Sequence, residues 1–160
     1  MTTHHVGIGQ TVTSTTPGDR IDMLGLGSCV GIFLVAPKFV AAAHCLLDRS
    51  NGRSSEAPGK FVDTAVPHLL SLAKRAGLGP GQLTASIAGG AQIFAFSGGR
   101  PELEIGARNI DTATKLLKQH GLRIVENDTG GTTPRRATIN VGEAKIAVTR
   151  QPGREARSAA

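Results

Sequence analysis

Two apolar runs on either side of a proline turn constrain this 160-residue chain more than any other feature. Residues 30–35 and 39–47 contain no acidic or basic residue apart from His44, and Ala36-Pro37-Lys38 separates them. A strand with one wet face alternates polar and apolar residues, whereas continuous apolar runs of this kind are covered on both faces. The pair therefore reads as a buried antiparallel hairpin. The hydrophobic share of 39% fills one core, and the length is about that of one domain. Residues 1–150 are expected to form that single domain, while residues 151–160 lack apolar periodicity and are expected to be a disordered tail.

Other elements follow from local pattern. Residues 6–13 interleave small apolar and polar side chains as a strand, and Thr16-Pro17-Gly18-Asp19 offers a turn before a second strand over 21–28. Residues 48–59 are too polar for a core and read as an exposed loop. Over 60–76, Phe61, Val62, Ala65, Val66, Leu69, Leu72 and Ala73 recur at three and four, which predicts an amphipathic helix that Pro67 should kink or restart. Residues 83–88 form a strand ending at Gly89-Gly90. A second helix over 105–120 ends before Gly121, placed as its C′ residue. A strand over 122–125 and a hairpin of 136–140 with 144–149 complete the reading.

Composition excludes several function classes. A formal charge of +6 without a dense basic block, and 3% aromatic residues with neither Trp nor Tyr, give no footprint for nucleic acid. No run of 18 apolar residues and no leader pattern is present, so membrane insertion is not expected. Two cysteines, Cys29 and Cys45, do not make a secreted disulfide scaffold, which favours a cytoplasmic location. Two cysteines and His44 are also too few for a tetrahedral zinc site unless His4 or His5 joins, and no metal is expected. His4 and His5 read as a mobile terminus, and His68 and His120 as solvated helix residues.

The chemistry centres on Gly25-Leu26-Gly27-Ser28-Cys29-Val30. Small residues ahead of a cysteine let backbone amides approach whatever binds the sulfur, so Cys29 could be a nucleophile beside an oxyanion hole. Taken alone, it reads as a small buried cysteine at a tight strand entry, and a second residue is needed to favour chemistry. With the turn centred on Pro37, His44 falls nearly opposite Cys29, where an imidazole could serve as general base; the alternative is a satisfied core histidine. Cys45, next in the strand, points to the other face and reads as packing. Gly89-Gly90-Ala91, residues 105–109, and Asp128-Thr129-Gly130-Gly131 with Arg135-Arg136 are turns or close approaches to a ligand. Arg108 and Arg135 are read as coating the surface.

Taken in order, these blocks resemble the chemoreceptor glutamine deamidases of the CheD family. The likeness covers about residues 6–148, through Leu26-Gly27-Ser28-Cys29, Ala43-His44-Cys45-Leu46-Leu47, Lys60-Phe61-Val62-Asp63-Thr64-Ala65, Ala88-Gly89-Gly90-Ala91, Ile105-Gly106-Ala107-Arg108-Asn109 and Asp128-Thr129-Gly130-Gly131. The resemblance implies an α+β fold: an α/β sandwich of mixed, mainly antiparallel sheet with two main helices, of a cysteine-hydrolase type related to toxin deamidase domains. It implies a protein-glutamine glutaminase that converts receptor glutamines to glutamate, with Cys29 as nucleophile, His44 as base and no cofactor. Gly27, Ser28, Val30, Gly89 and Gly90 are the expected oxyanion and substrate-binding positions. The expected partners are the cytoplasmic helices of chemoreceptors and a CheC-type phosphatase. Two positions depart from the family: Met23 stands where a Thr is common as third catalytic member, and Asp48 where a Pro follows the histidine block. Met23 raises two expectations, reduced activity or an adaptor that binds receptors or a phosphatase without turnover.

Overall fold

The structure, a computed structural model, describes residues 1–53, 57–93 and 104–151. The expected tail and the outer part of the 48–59 loop, residues 54–56, fall partly outside these. In chain order the strands and helices are β1 Thr3–His5, β2 Thr11–Ser14, β3 Arg20–Leu26, β4 Val30–Ala36, β5 Phe39–Cys45, α1 Val62–Arg75, β6 Thr84–Gly89, α2 Ile105–Gln119, β7 Arg123–Thr129, β8 Arg135–Asn140 and β9 Ala147–Arg150. They build the expected α+β sandwich. One sheet has the order β1-β3-β8-β9, the other β2-β5-β4-β6-β7. Among the strands of the described residues, β1 with β3 and β6 with β7 pair in parallel and the others antiparallel.

The β4–β5 hairpin lies inside the five-stranded sheet, and its continuous apolar sequence is explained by cover on both faces. Val30, Ile32 and Leu34 of β4, with Phe39, Ala41, Ala43 and Cys45 of β5, pack with Val66 and Leu69 of α1 and Leu117 of α2. The alternate residues Phe33, Val35, Val40 and Ala42 pack with Ile21, Met23, Ala137 and Ile139 of the other sheet. The molecule thus has three layers: four-stranded sheet, five-stranded sheet, helices.

Four local readings change. Residues 6–13 are not one strand: the chain leaves β1 at His5, turns through residues 7–10 and begins β2 at Thr11. His4 and His5 are not a mobile terminus, because β1 pairs with β3 and the two imidazoles meet Asp19 at 3.0 Å and Asp22 at 3.2 Å. Pro67 lies within α1 without ending it. It lies in the second turn with its ring exposed to solvent, and the helix carries it with one i→i−4 bond fewer. β7 runs on from residue 125 to Thr129 through Glu126, Asn127 and Asp128, since as the last strand of its sheet it needs no apolar outer edge.

Candidate active site

The strand directions bring the candidate residues to one edge of the sandwich. β5 and β6 both run antiparallel to β4, so they end where β4 begins, and β7, parallel to β6, ends there too. β3 ends at the same edge and crosses directly into β4 through residues 27–29, while β8 starts there with Arg135 opposite Leu26. The first turn of α2 closes in against Gly90 and Ala91; a Cβ on Gly106 would come within 2.6 Å of the Gly90 carbonyl oxygen and 2.7 Å of that of Ala91.

Residues 27–29 are held by their carbonyl groups. The N–H of Ala91 donates to the Gly27 oxygen at 2.8 Å, the Asn109 amide to Ser28 at 3.0 Å, and the N–H of Gly90 to Cys29 at 2.8 Å. In a trans peptide the C=O and the following N–H point opposite ways, and none of the described bonds is cis. The N–H of Ser28 therefore faces away from Ala91, in the segment after β6, and that of Cys29 away from Asn109 of α2. The Gly27 N–H donates to Gly25 at 2.9 Å, and Val30 lies in the ladders, opposite Cys45 and Gly89. Gly89, at φ +107°, approaches so closely that a side chain there would run into the Cys29 carbonyl oxygen.

Cys29 packs into the space between the two sheets at 5% exposure. His44 is opposite Gly31 in the ladder, so Cys29, one position before Val30, is offset from His44 by two residues. The neighbours of His44, Ala43 and Cys45, face the helices, and strand alternation turns the imidazole to the inter-sheet side, the side of Cys29. His44 Nδ1 is 3.0 Å from the carbonyl oxygen of Val6, and its Nε2 is buried with no hydrogen-bond partner among the described residues. Burial pushes the Cys29 thiol above its ordinary value, opposed by its own backbone N–H. Burial holds the His44 imidazole below its ordinary value, opposed by the Val6 carbonyl. Both shifts favour the uncharged partners, thiol and imidazole, at rest. Cys45 is fully buried among the helices, and desolvation with Cys29 nearby drives its thiol strongly upward.

Two residues take unexpected places. Arg135 does not coat the surface: it is fully buried, with Nε 2.8 Å from Asp128 and Nη1 3.3 Å from the Gly89 oxygen. The Asp128 carboxylate provides the countercharge that such burial requires. Asn109 had no assigned role, yet its Nδ2 bridges the carbonyls of Ser28, before the cysteine, and Leu46, after the histidine strand, at 3.0 and 3.1 Å. Its signal in the sequence was a polar residue in the buried stripe Gly106, Asn109, Ala113, Leu117. Among the described residues, no group of three His, Cys, Asp or Glu side chains gathers as a metal site, and no helix is long and apolar enough to cross a membrane.

The family described as CheD chemotactic sensory transduction matches residues 46–150. The chain is 39% identical over 152 residues to the chemoreceptor glutamine deamidase CheD of Thermotoga maritima, covering 94% of this chain and 93% of the relative. It is 37% identical over 147 residues to the probable chemoreceptor glutamine deamidase CheD of Symbiobacterium thermophilum, covering 89% of each. Identity to the probable chemoreceptor glutamine deamidase CheD of Methanococcus vannielii is 37% over 132 residues, 81% of this chain and 84% of the relative.

Proposed function

The chain belongs to the CheD family, and from that premise we propose that it is a protein-glutamine glutaminase that converts glutamines on the cytoplasmic helices of chemoreceptors to glutamate. The observation that carries the chemistry is the commitment of His44: Nδ1 meets a carbonyl oxygen, which only accepts, so the proton sits on Nδ1 and Nε2 keeps a lone pair. An imidazole in that tautomer is a base, on the same side of the sheet as a cysteine offset by two residues.

In this reading Cys29 Sγ attacks the carboxamide carbon while its proton passes to His44 Nε2. A neutral resting pair suits transfer during attack rather than a standing thiolate. The N–H groups of Ser28 and Cys29 receive the developing oxyanion, while Gly27, Val30, Gly89 and Gly90 give the loop its shape through the bonds and contacts described. The imidazolium then returns its proton to the departing amine, releasing ammonia and leaving a thioester on Cys29. Water, deprotonated by His44, attacks the thioester; glutamate leaves and the thiol reforms.

The alternative is an adaptor that binds receptors, or a CheC-type phosphatase, without turnover; the observation favouring it is Met23, fully buried and without a hydroxyl. Incubation with a receptor cytoplasmic fragment separates the two. The deamidase releases ammonia and converts particular glutamines to glutamate, read by peptide mass. Receptor binding with neither product would establish the adaptor instead.

A further inference from the structure

The tautomer of His44 depends on one acceptor, and that acceptor comes from the start of the chain. The side chains that might serve are engaged elsewhere. Asp22 binds Arg136 through both carboxylate oxygens at 2.9 and 3.0 Å, and the Thr64 hydroxyl donates to Pro58 at 2.7 Å. Met23 places its sulfur over Gly31, 2.6 Å from where a Cβ would stand. The Val6 carbonyl, 3.0 Å from Nδ1, is the acceptor the ring meets among the described residues.

That carbonyl is itself fixed. The Val6 N–H donates to the backbone oxygen of Asp22 at 2.9 Å, and the Val6 side chain is buried between the sheets. Past it, the Gly7 N–H donates to the Gln10 side chain at 2.8 Å. Gly9 then donates to the His44 oxygen at 2.8 Å, and the His44 N–H to Gln10 at 3.1 Å. The segment from Val6 to Gln10 thus grips His44 by its ring and by both of its backbone groups.

We propose that the Val6 main-chain carbonyl is the positioning group of the catalytic pair, holding the proton on His44 Nδ1, aiming Nε2 and supporting the imidazolium formed when Nε2 takes the thiol proton. The proposal rests on the reading of His44 as base. A bond from Nδ1–H to a neutral oxygen strengthens when the ring becomes cationic, so it acts on the transition state more than on the resting enzyme. It also makes a side-chain hydroxyl at position 23 unnecessary, and a wild-type enzyme with Met23 is then fully active.

The test replaces the peptide bond between Val6 and Gly7 by an ester. An ester carbonyl is a weaker acceptor, and every side chain stays in place. Residues 1–28, made synthetically as a thioester, join residues 29–160 through the native Cys29. The ester also deletes the Gly7 N–H, so Gln10→Leu, which removes the same bond from its other end, measures that loss alone. On a receptor fragment the ester is expected to lower kcat about tenfold relative to Gln10→Leu, the order of effect of one hydrogen bond, with KM unchanged. The pKa of His44, read by NMR, should fall with it, and Met23→Thr should give no gain in kcat. An ester enzyme with the kcat and His44 pKa of Gln10→Leu, or a marked gain from Met23→Thr, overturns the proposal. Failure of the underlying reading is separate: His44→Gln would then retain wild-type turnover whatever the ester does.

Discussion

A buried imidazole nitrogen without a partner calls for an explanation, and His44 Nε2 has no partner among the described residues. With His44 held below its ordinary value of 6.5, its imidazole is neutral at pH 7, the state the proposed base requires. The acid limb of kcat/KM is therefore expected below pH 6.5, and His44→Gln should remove that limb together with most of the turnover. For Cys29 the shift is upward from 9.0. Alkylation by iodoacetamide in the resting enzyme should still be rising at pH 9, while a plateau near neutrality would mean a standing thiolate. The pairing of these two residues was legible because a proline turn between apolar runs sets a register. The offset of two was not, since the turn is centred between Pro37 and Lys38, with Ala36 opposite Phe39, rather than on Pro37. The acceptor for His44 was not legible either. It is a backbone oxygen 38 residues away, and no side-chain pattern marks it.

Elements meet at the site through few, specific bonds. α2 braces the segments that carry the proposed catalytic pair, because Asn109 bonds the carbonyls of Ser28 and Leu46, so Asn109→Asp, which turns a donor into a carboxylate facing two carbonyls, should destabilise the fold by about 1–3 kcal/mol in thermal denaturation. It should also slow deamidation at temperatures where the variant remains folded; unchanged turnover would make the bridge structural only. At the opposite end of β1, Asp19 accepts from His4, the Thr2 N–H and the Ser14 hydroxyl, which lower its carboxyl from 3.8 to about 2. A depressed carboxyl contributes stability above its unfolded value that is lost as pH falls through the folded one. Stability should thus decline between pH 3.8 and about 2 in the wild type, and Asp19→Asn should flatten that part of the profile in acid titrations. The helices were readable from periodicity and the central strands from unbroken apolar runs, whereas β1 was not. Three polar residues gain their order by pairing with β3 and through the contacts of His4 with Asp19 and His5 with Asp22.

For the whole molecule, the edge holding Cys29 is also where large apolar side chains reach solvent. Among the described residues, and apart from Met1, these are Ile8, Leu24, Ile93 and Ile105, which come from the segment after β1, the end of β3, the segment after β6 and the start of α2. In the proposed function this edge would give a receptor helix apolar ground beside Cys29, and the formal charge of +6 favours acidic partners. Ile8→Ser and Ile105→Ser are expected to raise KM for a receptor fragment while leaving kcat near wild type, the pattern of lost uniform binding. The layered fold was legible in outline from its doubly buried hairpin, but the gathering of these distant segments at one edge depends on strand order, which local patterns do not carry. The central claim, that this edge deamidates glutamine through Cys29, is tested most directly by ammonia release from a receptor fragment with wild type, Cys29→Ala and Cys45→Ala side by side. The account predicts release by wild type and Cys45→Ala, and none by a Cys29→Ala protein that is folded by circular dichroism. Release by Cys29→Ala with loss in Cys45→Ala would contradict it.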